Sequence, residues 1–74
     1  MTNYREQSKE LKGKRVRCIF MNDEYPVPSG TMGTINHVDD IGTINVSWDN
    51  GSTLGLVQGE DRYQIIYELN PETV

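Results

Sequence analysis

The chain has very few of the residues that form crosslinks, metal sites and catalytic centres. Its 74 residues include one cysteine and one histidine. Cys18 alone cannot form an internal disulfide, so we exclude a secreted disulfide scaffold and expect a reducing, cytoplasmic setting. Because Cys18 stands among alternating apolar residues, we predict a buried, inert thiol rather than a reactive one.

Long hydrophobic runs are also missing. No apolar stretch approaches the roughly 18 residues that a membrane-spanning helix needs, and no signal-peptide core follows the polar N-terminus. We therefore expect a soluble, intracellular protein without a membrane partner.

Catalytic and metal-binding patterns are scarce as well. The sequence has no phosphate-binding glycine loop, no dinucleotide fingerprint and no nucleophile elbow. His37 lies within a predicted strand and has no serine or cysteine partner at a suggestive spacing, so we expect no enzyme and no cofactor. Asp39 and Asp40 could join His37 as metal ligands, but adjacent aspartates in a turn are better explained by bonds to their own backbone. No metal site is predicted.

The charges that are present are divided unevenly. Residues 1–17 carry six bases and two acids (+4), whereas residues 18–74 carry one base and nine acids (−8). The net charge of −4 disfavours general nucleic-acid binding, because that affinity comes from cations placed on phosphates. The basic segment could still bind locally, or it could partly neutralise the acidic remainder.

Glycine spacing describes the connections between strands. Gly33, Gly42 and Gly51 stand nine residues apart, which is the length of a strand plus a turn and predicts a β-meander. Asn50-Gly51 is a strong signal for a two-residue type I′ hairpin turn, in which both residues need positive φ.

We predict five strands, at residues 15–21, 32–38, 43–48, 53–57 and 63–68. Pro26 and Pro28 keep residues 22–31 as a long loop outside the sheet, and residues 59–62 resemble a short 3₁₀ turn. This order favours an all-β, five-stranded SH3-like barrel at 13–68. A polar arm or short helix at 1–12 precedes it, and a tail at 69–74 follows.

Strand parity predicts which side chains form the core. Trp48 could either fill the barrel or bind a ligand at its mouth, and its parity with Ile44 and Val46 favours the core. The predicted core residues are Val16, Cys18, Phe20, Ile35, Ile44, Val46, Trp48, Leu54, Leu56 and Ile65.

Residues 13–66 resemble a small bacterial and phage family of domains of unknown function. The motifs that carry the resemblance are Lys14-Arg-Val-Arg17, Met21-Asn-Asp23, Gly30-Thr-Met-Gly-Thr34, Val38-Asp-Asp40, Val46-Ser-Trp-Asp-Asn-Gly-Ser52 and Gly59-Glu-Asp-Arg62. The resemblance implies a phage or mobile-element setting and no activity. Gly33-Thr34 and residues 48–52 are also similar to mind-bomb-type domains of ubiquitin ligases, which implies peptide recognition.

From these observations we expect a non-enzymatic protein-binding module. An example of its role is anti-defence, such as inhibition of a basic CRISPR effector. Exposed aromatics beside acids suit a ligand with apolar and basic groups. The candidate binding residues are Tyr25, Pro26, Val27, Pro28, Asp49, Asn50, Asp61 and Arg62. Alternatively, Tyr25 and Val27 fold back to cap the open end of the barrel.

The rival hypothesis is a nucleic-acid-binding barrel, in which Tyr25 or Tyr63 would stack on a base. Its phosphate contacts would be Lys12, Lys14, Arg15 and Arg17. A third hypothesis is self-assembly, in which the acidic domain of one copy meets the basic arm of another.

Overall fold

The computed structural model describes residues 3–67 and contains one helix and five strands. The elements are α1 (Tyr4–Leu11), β1 (Arg15–Phe20), β2 (Met32–Val38), β3 (Thr43–Trp48), β4 (Leu56–Val57) and β5 (Arg62–Ile66). The predicted tail at 69–74 and Glu68, the last residue of the fifth predicted strand, lie outside the described residues. No helix within residues 3–67 combines the length and the apolar character needed to cross a membrane.

The five strands form one antiparallel sheet in the order β4-β3-β2-β1-β5. Strands β2, β3 and β4 are consecutive neighbours, which confirms the predicted meander. Within the described residues β4 and β5 do not pair with each other, so the sheet ends in two open edges. The mostly β architecture is confirmed, and α1 adds a helical layer to it.

Strand β1 carries a β-bulge near its end. Cys18 pairs with Tyr63 of β5, and Phe20 pairs with the adjacent Arg62. Ile19 is therefore the extra, unpaired residue of the bulge. The bulge shifts the in–out alternation by one position. Met21 therefore enters the core at 3% exposure, while Phe20 is 56% exposed. The prediction that Phe20 belongs to the core is wrong.

A second bulge lies in the neighbouring strand β2. Its pairing with β3 steps from Ile35 to His37 for one residue of the partner, which makes Asn36 the extra residue. His37 is exposed and Val38 is buried as a result. Bulges bend the strand that carries them and increase its local twist, so both β1 and β2 depart from a regular strand.

The hairpin after β3 differs from the predicted two-residue turn. Gly51 has a φ of 91°, but no non-glycine residue in the described chain has a positive φ, so Asn50 is not in a type I′ position. The Trp48 C=O accepts from the Gly51 N–H (2.9 Å), and the Trp48 N–H donates to the Ser52 C=O (3.0 Å). The loop therefore has three residues, 49–51, and ends in a left-handed glycine. The hairpin is confirmed and its type I′ geometry is wrong.

The β2–β3 connection repeats this construction nine residues earlier. Gly42 has a φ of 89°, its N–H donates to the Asp39 C=O, and the Asp39 N–H donates to the Thr43 C=O, both at 3.0 Å. The Asp39 carboxylate also accepts from the N–H groups of Ile41 (3.1 Å) and Thr43 (2.9 Å). For Asp39 the predicted bonding to its own backbone is confirmed.

The buried residues form one hydrophobic core. Trp48 is 4% exposed and its indole N–H donates to the Leu54 C=O at 2.8 Å, which confirms its core assignment. The acceptor Leu54 lies in the segment that precedes β4, which has two residues instead of the predicted five. The buried hydrophobic residues are Leu11, Val16, Cys18, Met21, Val27, Ile35, Val38, Ile44, Val46, Trp48 and Leu56. Leu54 and Ile65 are partly buried against this core.

Helix α1 begins at a polar cap. The Asn3 side chain accepts from the N–H groups of Arg5 (3.1 Å) and Glu6 (3.2 Å), which satisfies two of the free donors at the helix start. The helix ends at Leu11, and Gly13 follows with a φ of 83°.

One face of α1 is fixed on the sheet. The Ser8 hydroxyl accepts the Val38 N–H at 2.9 Å, and Gln7 exchanges two side-chain hydrogen bonds with Gln58 (3.1 and 2.8 Å). Leu11 is buried in the core. The docked residues follow helical spacing: Tyr4, Gln7, Ser8 and Leu11. The orientation of the opposite, solvent-facing side of α1 is thereby also fixed.

Candidate functional site

The long loop at residues 22–31 is anchored at several points. At its end, the Gly30 N–H donates to the Cys18 C=O (2.7 Å) and the Cys18 N–H donates to the Thr31 C=O (2.8 Å). In its middle, Val27 is 3% exposed and its C=O accepts from the Cys18 thiol at 3.4 Å. The loop is therefore held against the body of the domain through its backbone and one buried side chain.

The structure separates the predicted binding residues of this loop. Tyr25 is 77% exposed, and Pro26 and Pro28 are exposed on either side of Val27. Val27 is a core residue and is not available to a partner. Val27 therefore folds back into the core, as the capping alternative predicts, whereas Tyr25 is exposed.

The exposed apolar residues of this end are Ile19, Phe20 and Tyr25, which we call the loop face. Ile19 and Phe20 are 42% and 56% exposed because of the β1 bulge, and Tyr25 follows within the next five residues. Arg62, another predicted binding residue, is exposed and pairs with Phe20 across the strands. Sequence reasoning missed Ile19 and Phe20, because a bulge leaves no clear mark on the alternating pattern.

Asp61, predicted as a recognition residue, is a buried structural residue. It is 8% exposed, and its carboxylate accepts from the N–H groups of Val57 and Asn22, both at 2.7 Å. Val57 ends the edge strand β4, and Asn22 follows β1, the neighbour of the other edge strand. The segment predicted as a 3₁₀ turn is a hydrogen-bonded turn. In it the N–H groups of Glu60 and Asp61 both donate to the Val57 C=O. Asp61 thus links the two sides of the open sheet.

Asp49 and Arg15, which the sequence assigns to rival sites, form an ion pair with each other. Both terminal nitrogens of Arg15 donate to the Asp49 carboxylate, and one also donates to the Thr34 hydroxyl at 2.9 Å. The Arg15 hydrogen bond lowers the pKa of Asp49, and the same contact raises the pKa of Arg15. Asn50 is exposed and its side chain accepts from the Ser52 N–H at 3.0 Å. Of the two predicted acidic residues, Asp49 is therefore paired with Arg15 and Asp61 is buried.

The other residues of the rival site lie on a basic strip along α1 and β1. Lys12 and Arg17 are exposed, and the Lys14 ammonium lies 5.6 Å from the centre of the Tyr67 ring. Tyr67 is 60% exposed and was not among the predicted residues. Tyr63 is partly buried against the core, and this burial raises the pKa of its phenol. Tyr63 is thus poorly placed to stack on a base.

A cleft that sequence reasoning missed lies between α1 and the end of β2, and we call it the α1–β2 cleft. It has a volume of about 280 Å³ and is lined by Arg5, Ser8, Lys9, Lys12, His37, Val38 and Asp40. The cations Arg5, Lys9 and Lys12 are spaced by four and three residues, so they share one side of the helix. That spacing is visible in the sequence, but the side of the domain it faces depends on how α1 docks.

Comparison with known proteins gives a family. The family model for DUF4314, a domain of unknown function, matches residues 5–66. The matched segment runs from the first turn of α1 to the last residue of β5, so it includes the loop face, the Arg15–Asp49 pair and the α1–β2 cleft. No curated protein and no solved structure matches the chain significantly. With most of its length matched, the chain belongs to the DUF4314 family.

Proposed function

We propose that this domain is a non-enzymatic protein-binding module whose loop face receives apolar side chains of a protein partner. The observation that carries the proposal is the exposure of Ile19, Phe20 and Tyr25 within seven consecutive residues. Adjacent exposed apolar side chains on a small domain are typical of an interaction site, whereas single ones are common on any surface.

The anchoring of the loop supports this proposal. Backbone bonds to Cys18 and the buried Val27 side chain hold residues 22–31 before a partner arrives. A preformed surface loses less conformational entropy on binding than a mobile loop does. Aromatic side chains also supply a large contact area with few rotatable bonds, which makes Phe20 and Tyr25 suitable anchors.

Charges near the loop face suggest the chemistry of the partner. Asp23, Glu24 and Glu60 are exposed on the two segments that adjoin it, while Asp49 is paired and Asp61 is buried. We propose a partner with an apolar centre and basic residues at its rim, matching these three acids. This replaces the acidic pair that the sequence suggested.

We further propose that the curled sheet is an SH3-like barrel and that the protein acts in a phage or mobile element. The strand order, the two bulges and the Asp61 link support the barrel. The sequence resemblances support the mobile-element setting and peptide recognition of the mind-bomb type. A small domain with an acidic rim would suit inhibition of a basic host defence protein, such as a CRISPR effector.

Capture from host lysate with matched variants tests the loop face. Phe20→Ser combined with Tyr25→Ser should abolish enrichment of the partner, as measured by quantitative mass spectrometry. Ile41→Ser is the control, because Ile41 is 82% exposed at the β2–β3 hairpin, away from this face. Equal capture by wild type and both variants would refute the proposed face.

Nucleic-acid binding is the second candidate function, and the basic residues Lys12 and Arg17, which are exposed, and Lys14, which is half-buried, favour it. Neutralising Lys14 and Arg17 to glutamine should then abolish a gel shift that weakens as salt rises. Because Arg15 is paired with Asp49, it does not add an unpaired cation to these residues, and we therefore rank the function second. Absence of any shift at low salt would exclude it.

A further inference from the structure

The α1–β2 cleft concentrates positive charge in an otherwise acidic protein. Arg5, Lys9 and Lys12 contribute three permanent cations to its walls, and His37 adds an imidazole from the end of β2. Asp40 is the one acid that lines it. The neighbouring Asp39 carboxylate is directed to the backbone of its own turn. The cleft is therefore cationic although the chain as a whole has a net charge of −4.

This arrangement places like charges beside one another, although Lys9, in the last turn of the helix, is favoured by the helix dipole. Like charges at i,i+4 (Arg5 and Lys9) and at i,i+3 (Lys9 and Lys12) repel one another. Arg5 also lies in the first turn, where the helix dipole disfavours a cation. Glu6 lies 3.6 Å from Lys9, but both side chains are at least 66% exposed, so this pair offsets little of the repulsion. An anion in the cleft would relieve it.

The positions of the cations are fixed by the neighbouring face of α1, which is docked on the sheet. Ser8 is bonded to the Val38 N–H, and Gln7 is bonded to Gln58, so the helix cannot roll away from β2 without breaking these contacts. The cleft volume of about 280 Å³ lies just below the usual range of small-molecule pockets and is large enough to hold a phosphate group. Lysine and arginine donors are the side chains that bind phosphate oxygens in proteins.

We propose that the α1–β2 cleft is a phosphate-binding site formed by Arg5, Lys9 and Lys12, with His37 as a further donor. The phosphate belongs either to a mononucleotide or to the backbone of a nucleic-acid strand, two ligands with the same chemistry at this cleft. The site is separate from the loop face, so it stands or falls independently of the proposed protein binding.

Titration of the full chain with three probes, followed by backbone amide NMR shifts, tests the site. The probes are inorganic phosphate, adenosine monophosphate and a ten-nucleotide single-stranded DNA, each against sodium chloride of equal ionic strength. We expect shifts at Ser8, Lys9 and Val38, and none at Tyr25. Saturation by the monophosphate identifies a nucleotide-sized ligand, and saturation by the DNA alone identifies a backbone phosphate. No saturable shift with any probe at low salt overturns the proposal.

Variants distinguish specific phosphate binding in the cleft from nonspecific attraction of the phosphate to positive charge. Lys9→Gln with Lys12→Gln should weaken binding at least tenfold, and for the DNA should reduce the salt slope by about 1.4, since each cation contributes about 0.7. With inorganic phosphate or adenosine monophosphate as the probe, the matched control, Lys14→Gln with Arg17→Gln, removes the same charge outside the cleft and should weaken binding less than twofold. Equal losses in both pairs overturn the proposal. Asp40→Asn should tighten binding, which a variant that merely damaged the fold would not do.

Discussion

Replacing Asp61 by alanine tests whether this side chain holds the two sides of the open sheet together. Its carboxylate accepts two backbone N–H groups at 2.7 Å, one from Val57 and one from Asn22. A hydrogen bond to a charged group contributes about 1.5–3 kcal/mol, and a buried donor left without a partner costs a similar amount. Both hydrogen bonds are only partly buried, because Asn22 and Val57 are exposed residues, so water replaces some of the lost bonding. We therefore expect Asp61→Ala to lower the free energy of unfolding by about 2–4 kcal/mol.

This loss would be a large fraction of the stability of a 74-residue domain, which at about 0.05–0.15 kcal/mol per residue is about 4–11 kcal/mol. Urea unfolding followed by Trp48 fluorescence measures it, because Trp48 is buried and is the only tryptophan. With a urea m-value of about 1 kcal/mol/M for so small a protein, the midpoint should fall by about 2–4 M.

Two further variants make the result specific to the bridging carboxylate. Glu60→Ala removes the adjacent, exposed acid and should change the unfolding free energy by no more than about 0.5 kcal/mol. Asp61→Asn keeps one acceptor oxygen but turns an amide donor towards a backbone donor, so it should be less stable than wild type and more stable than the alanine variant. If Asp61→Ala costs no more than Glu60→Ala, the bridge does not stabilise the fold.

Three further predictions follow from single contacts. Because Arg15 lowers the pKa of Asp49, the stability from this pair is present above the unfolded-state pKa of about 3.9 and is lost as the pH falls through the folded value. Urea titrations should therefore show that the stability difference between wild type and Asp49→Asn becomes smaller in acid. A stability difference that becomes larger below pH 4 would contradict the pairing. Burial, and to a smaller extent the Asp61 charge, raise the pKa of Cys18, so a thiol reagent at pH 8 should react only as the protein unfolds. Rapid labelling of the native protein would refute that burial. Gly33→Ala would place a Cβ 2.8 Å from the Trp48 ring, and the overpacking should cost about 1–3 kcal/mol by thermal unfolding, whereas an unchanged melting temperature would contradict the close packing.

The sequence was most informative where strands alternate regularly. Ile44, Val46 and Trp48 follow strict alternation in β3, and all three are buried as predicted. Alternation alone fails at a bulge, because one inserted residue reverses the parity of everything after it. That is why Phe20 was placed in the core and Met21 was not.

The candidate sites depended on long-range contacts that local patterns do not carry. Asp49 and Arg15 are 34 residues apart, and each has an ordinary sequence context for an exposed charge. Only the registers of β1 with β2 and of β2 with β3 bring them together. Asp61 was similarly ambiguous, since an aspartate after a glycine turn is compatible with either solvent exposure or a buried bridge. Its two backbone donors come from segments separated by more than 30 residues.

The strand directions place the loop face and the α1–β2 cleft at opposite ends of the sheet. β1 runs from Arg15 to Phe20 at the loop face, while the antiparallel β2 runs from Met32, near that face, to Val38 in the cleft. A seven-residue strand is about 20 Å long, so a ligand in the cleft would not touch a partner on the loop face. The paired Arg15 and Asp49 lie between these ends and neutralise each other. The two proposed sites, the cationic α1–β2 cleft and the apolar loop face, therefore do not overlap.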